Sequence, residues 1–80
     1  MKAQVIVRLK GEVLDPEGDA IRKALERLNF GNVKDVRVGR IVELELTGSD
    51  AAAIETELKK MADALLANPV TEDYEVVLKK

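Results

Sequence analysis

Apolar residues recur at Ile54, Leu58, Met61, Leu65 and Leu66, with Glu55, Glu57, Lys59, Lys60 and Asp63 between them. That spacing predicts an amphipathic helix of about five turns with one apolar stripe. Ser49 or Asp50 can accept the first free amide hydrogens and suits the positive end of the helix dipole. Pro69 cannot continue the helix and turns Asn68 away from helical angles. Beyond it, Tyr74, Val76 and Leu78 alternate with Glu75, Val77 and Lys79, the pattern of a terminal strand. At the other end Ala3, Val5, Val7 and Leu9 alternate with Gln4, Ile6 and Arg8. This is a first strand, and Ile6 on its second face suggests a central position.

A second helix is predicted from Asp15-Pro16, where Asp15 offers a capping acceptor and Pro16 at the first helical position loses no hydrogen bond. Ala20, Ile21, Ala24, Leu25 and Leu28 form its stripe, and Gly31 is placed to end it in left-handed angles. Gly18 in the first turn costs on the order of 1 kcal/mol against alanine, which suggests a close backbone approach there. From Val33 to Leu46 the apolar positions are Val36, Val38, Val42, Leu44 and Leu46. A two-residue turn at Gly39-Arg40 would put the two apolar sets on opposite faces, which burial forbids. A three-residue loop, Gly39-Arg40-Ile41, places Val38 opposite Val42 and is the preferred solution; the other is one long strand bent at Gly39 that pairs with a neighbouring chain.

The expected order is strand, helix, strand, strand, helix, strand. Two strand-helix-strand halves with right-handed crossovers would lay both helices on one face of an antiparallel sheet. This is an α+β, two-layer, ferredoxin-like arrangement in a single domain over residues 1–80.

Composition narrows the chemistry more than the fold. Eighty residues bury only roughly 60–65% of the unfolded surface, so the core is thin and self-association is a natural remedy. The chain has no cysteine and no histidine, which removes thiolate and imidazole nucleophile pairs and the usual transition-metal ligands. Its net charge is −2 with the signs interspersed, which argues against nucleic acid as a partner. No apolar run approaches the length of a membrane span and Met1 opens no signal-peptide pattern, so the expected location is the cytoplasm, away from membranes. The five glycines are scattered, and none forms a phosphate-cradling loop.

Several motifs together resemble one family. Val13-Leu14-Asp15-Pro16-Glu17-Gly18, then Asp35-Val36-Arg37-Val38-Gly39-Arg40 with Glu43-Leu44, then Leu65-Leu66-Ala67-Asn68-Pro69-Val70 and Glu72-Asp73-Tyr74-Glu75 follow the order and spacing of PurS. PurS is the small subunit of multi-subunit phosphoribosylformylglycinamidine (FGAM) synthase. Arg40 stands where that family usually has lysine, which keeps the charge but changes donor geometry. The resemblance implies a non-catalytic assembly subunit in purine synthesis. It would bring a glutamine amidotransferase subunit (PurQ) to an ATP-dependent synthetase subunit (PurL), in a ligase complex that makes FGAM from formylglycinamide ribonucleotide (FGAR), glutamine and ATP. It also implies a homodimer or tetramer. No cofactor would be bound by this chain, ATP and Mg being used by the synthetase partner.

No residue is expected to be catalytic or to bind a metal. Partner-contact candidates are Arg37, Gly39 and Arg40, because a projecting turn with two guanidinium groups can pair with carboxylates; both arginines are expected to be replaceable by Glu without loss of the fold. Asp15 and Gly18 are a second candidate, although a helix start explains them, and Asp73 and Tyr74 a third, although a solvated charge run is the ordinary explanation there. Two other functions compete. A ferredoxin-like module binding a small effector at a dimer interface rests on fold analogy alone. A small enzyme using carboxylate, Lys or Tyr groups would need polar side chains in the apolar stripes, and the stripes have none.

Overall fold

β1 (Lys2–Leu9) takes the middle of the sheet because it is apolar on both faces: Ala3, Val5 and Val7 are buried on one side and Ile6 is half-buried on the other. In the computed structural model, which describes residues 1–79, β2 (Gly39–Glu45) and β3 (Glu72–Lys79) flank it in the order β2-β1-β3. Both pairings are antiparallel, with Val5 opposite Val42 on one side and Val76 on the other. β2 and β3 therefore run the same way, and the unit from β2 through its helix to β3 is a crossover that passes over β1. β1 and β2 are antiparallel neighbours, so the handedness rule for parallel crossovers does not apply to that half.

α2 (Ala51–Met61) supplies the second layer. Asp50 is the cap, its carboxylate accepting from the Ala52 and Ala53 amides at 3.1 and 3.3 Å. Leu58, Val5, Val7 and Ala62 are fully buried and Ile54 nearly so, which puts the core between α2 and the centre of the sheet. Burying a Leu or Val side chain contributes roughly 1.5–3 kcal/mol. The predicted stripe holds at Ile54, Leu58, Met61 and Leu66, and Leu65 alone leaves it. Residues Ala62–Leu66 form one π-helical turn, closed by the Ala67 amide donating to Ala62 O at 2.9 Å. The wider turn rotates the chain, so that Ala67 is buried and Leu65, expected in the stripe, is 83% exposed.

Two further expectations are corrected. There is no hairpin between 33 and 46. Residues 33–38 run without a strand partner, and the Val38 amide donates to the Asp15 carboxylate at 2.7 Å instead of to Val42. Nor is there one long bent strand: only Gly39–Glu45 is strand, and 33–38 lead into it as irregular chain, so neither of the two solutions is seen. The first helix, α1 (Pro16–Arg27), does not cover the sheet within the single chain. Its stripe residues Ile21 and Leu28 are exposed, as is Phe30 beyond its end. With residues 10–38 projecting, the molecule measures 49 × 26 × 14 Å and has a radius of gyration of 16.0 Å, against about 12 Å for a compact chain of this length. The architecture is α+β with an antiparallel sheet and a ferredoxin-like arrangement.

α1 also ends differently from expectation. Asn29, not Gly31, has the positive φ, 73°. The Phe30 amide donates to Leu25 O at 2.9 Å and the Asn29 amide to Glu26 O at 3.0 Å, the paired bonds of a Schellman end.

Candidate functional site

The projecting arm is held by polar contacts at its base. Asp15 caps α1 through the Gly18 amide (2.9 Å) and accepts from the Val38 amide with its other oxygen (2.7 Å). These two bonds, with the Arg37 charge nearby, hold its carboxyl below the usual carboxylate range. Arg37 donates to Lys10 O at 2.8 Å and Val13 O at 2.9 Å, tying the arm's outgoing and returning legs together. Gly18 is where the legs touch. A Cβ there would sit 2.1 Å from Val36 O, so the close approach suggested by glycine in a first turn is real.

A second clip lies at the corner between α2 and β3. Arg40 reaches Glu72 through both guanidinium nitrogens (2.6 and 3.1 Å) and donates to Leu66 O (2.6 Å). One side chain thereby ties β2, the end of the π turn and the start of β3, and satisfies a carbonyl that the helix end leaves free. Arg40 and the Asn68 amide hold the Glu72 carboxyl below its ordinary value. Asn68 organises the turn itself. Its carbonyl accepts from the Thr71 and Glu72 amides and its side-chain oxygen from the Val70 amide.

These contacts change the standing of the sequence candidates. Arg37 and Arg40 do not stand together on a hairpin turn, and each guanidinium is already committed within the chain. Gly39 begins β2, and a Cβ there would lie 2.5 Å from Val7 O, which explains the glycine by sheet packing. Asp15 and Gly18 form the arm base. Asp73 is exposed on β3. Tyr74, beside it in sequence, packs against the core with its hydroxyl 3.4 Å from Lys59 O; partial burial and the neighbouring Asp63 raise its pKa. Sequence reasoning missed Glu72 as the partner of Arg40, and Leu65 as a solvent-facing side chain. A separation of 32 positions leaves no local signal for the first. The second follows from the π turn, which apolar spacing does not announce.

The chemistry this arrangement offers is recognition. Two surface grooves of about 320 and 340 Å³ lie beside the arm base and the α2–β3 corner. Both are open to solvent and mix carboxylates with apolar side chains, Leu14, Pro16 and Val36 in the first and Ala67, Pro69 and Tyr74 in the second, and neither encloses a ligand-sized space. Among the described residues no group of three or more carboxylates is placed to hold a metal ion, and no helix is long and apolar enough to cross a membrane. Apolar surface open to a partner includes the α1 face with exposed Ile21, Leu28 and Phe30, and the strip Val42, Leu44 and Leu46 along β2 and just past its end, which packs against the core but stays half-buried.

Comparison with known proteins extends over the whole of this frame. A family model described as PurS, phosphoribosylformylglycinamidine (FGAM) synthase, matches residues 2–80. The FGAM synthase subunit PurS of Methanocaldococcus jannaschii is 42% identical over 79 residues, covering 99% of this chain and 95% of its own. The Bacillus subtilis subunit PurS is 44% identical over 73 residues, covering 91% and 86%. Among solved structures, a C2 crystal form of B. subtilis PurS superposes with a TM-score of 0.88 at 40% identity, over 99% of this chain and 98% of that one. A chain in the structure of PurLQS from Thermotoga maritima superposes with a TM-score of 0.86 at 33% identity, over 95% and 93%.

Proposed function

Because the chain belongs to the PurS family of FGAM synthase subunits, we propose that it is the assembly subunit that brings the glutamine amidotransferase subunit PurQ to the synthetase subunit PurL. As an FGAM synthase subunit it works in purine biosynthesis, within a ligase complex. The complex converts FGAR, glutamine and ATP to FGAM, with ATP and Mg handled by the synthetase. This chain contributes surface and no reacting group, as a single domain acting in the cytoplasm.

The observation that carries this reading is the end-to-end match to a chain in a structure of PurLQS. The exposed surfaces support it. An apolar helix face and an apolar strand strip that do not meet in one copy suit a second copy, whose α1 could lie on the first copy's β2 strip. The isolated chain is therefore a homodimer or tetramer, and the open grooves offer the effector-module alternative no enclosed site.

Reconstitution tests the proposal. Purified PurL and PurQ from the same source are assayed for glutamine-dependent FGAM formation with and without this chain. The expected result is activity only with the chain present, and co-elution of the three. Full glutamine-dependent activity in its absence would overturn the reading.

A further inference from the structure

The corner between α2 and β3 combines a fixed backbone with exposed aliphatic side chains. Its backbone is pinned: Asn68 N donates to Glu72 (2.8 Å), Asn68 O receives two amides, Leu66 O receives Arg40, and the Lys10 amide reaches Thr71 O (2.8 Å). Yet it holds Leu65 and Val70 out in water at 83% and 78% exposure. A mobile loop could fold such side chains back against the protein. This one cannot, because the π turn and the Arg40–Glu72 clip fix the direction of each Cα–Cβ bond. Aliphatic groups held rigidly in solvent lose little conformational freedom when they dock, which is the property of interface anchors.

The charge around the corner says what kind of surface would receive it. Glu72 is neutralised by Arg40, but the exposed carboxylates Asp63 and Asp73 lie within salt-bridge reach of no cation among the described residues. They share one groove with Pro69 and Tyr74. The carbonyl end of α2 adds partial negative charge in the same place.

We propose that the Leu65–Val70 corner is the contact by which this chain seats on another subunit of the synthase, and that the receiving surface is an apolar socket edged by lysine or arginine. This rests on the assembly reading above. On that same reading the α1 face and the β2 strip meet a second copy, and of the remaining exposed aliphatic side chains Leu65 and Val70 are the pair held in this acidic corner.

The test is a titration of the chain into purified PurL and PurQ, reading the concentration that gives half-maximal glutamine-dependent activity. Wild-type chain comes first, since no rescue by wild type would fell the assembly reading and this proposal with it. L65S/V70S is expected to keep its circular dichroism, melting temperature and oligomeric mass, and to raise the half-maximal concentration at least tenfold while saturating amounts restore full activity. D63K/D73K is expected to raise it as well, and added salt to raise it for wild type. If wild type rescues and L65S/V70S titrates like it, the proposal is overturned and the assembly reading stands. A changed oligomeric mass would assign the corner to self-association, and unfolding of L65S/V70S would make these side chains supports of the fold; either overturns the proposal. If D63K/D73K leaves the titration unmoved, the basic edge is refuted.

Discussion

Replacing Gly18 with alanine sets two effects of opposite sign against each other. Alanine is favoured over glycine inside a helix by about 0.8–1.0 kcal/mol, and Gly18 has no positive φ that would strain the new residue. An unhindered site would therefore gain stability. Here the added carbon would lie 2.1 Å from Val36 O and 2.9 Å from Asp15 Oδ2. Carbon–oxygen contacts settle near 3.3 Å or more, so the two legs of the arm must part by about 1 Å. That displacement acts on the carboxylate that caps α1 and holds Val38. Overpacking of this severity sits at the upper end of about 1–3 kcal/mol, leaving a net loss of about 2 kcal/mol. Because α1 barely touches the sheet, the loss should appear as local opening of the arm. Native-state hydrogen exchange at fixed protein concentration reads this directly. α1 amides of G18A should exchange about 30-fold faster, while those of Val5 and Val7 in β1 stay at wild-type rates. Slower exchange in α1, by the roughly fivefold that helix propensity alone would give, would refute the close approach.

Three further outcomes are expected. L58A empties a fully buried site and should cost about 2–5 kcal/mol, read as a fall in the urea midpoint at unchanged slope; a loss under about 1 kcal/mol would place the core elsewhere. R40E sets two carboxylates against each other where a bidentate pair stood, and should lower the melting temperature, with R40E/E72R recovering part of the loss; melting of R40E at the wild-type temperature would show the clip to be unimportant. Asp15 and Glu72 have carboxyl pKa values lowered by folding. The unfolded chain therefore binds more protons near pH 4, and stability present above that pH is lost as the pH falls through the lower folded-state values. The urea midpoint should drop between pH 5 and 3, and D15N should flatten that dependence; an identical pH profile for D15N would remove Asp15 from the account.

The legible parts of the fold were those with local causes. Asp15-Pro16 and Asp50 begin helices through side chains that bond amides two or three residues on, and alternation in 3–9 and 74–78 places two strands. Gly18 was readable because glycine in a first helical turn is unfavourable without a reason. What escaped was non-local. Val36 and Val38 alternate with charged residues as a strand would, but an acceptor 23 positions away takes the Val38 amide. Nothing in the spacing of Leu65 and Leu66 reveals that Ala67 bonds five residues back and turns Leu65 outward. Arg37 and Arg40 were singled out for their charge, and the structure spends that charge on carbonyls and a carboxylate of the same chain.

The arm's polar base has a consequence for how such chains diverge. The orientation of α1 is set by Asp15, Gly18, Val36, Arg37 and two carbonyls, all inside residues 10–38. The segment therefore behaves as a cassette that joins the sheet at its two ends and otherwise meets the rest of the chain through a backbone bond, Lys10 N to Thr71 O, that any non-proline residue can make. A relative's 10–38 segment could be transplanted whole onto this sheet, carrying the α1 half of the contact between copies with it while the β2 strip and the side chains of the α2–β3 corner stay the recipient's. Choice of like partner and choice of unlike partner would then drift separately within an 80-residue chain.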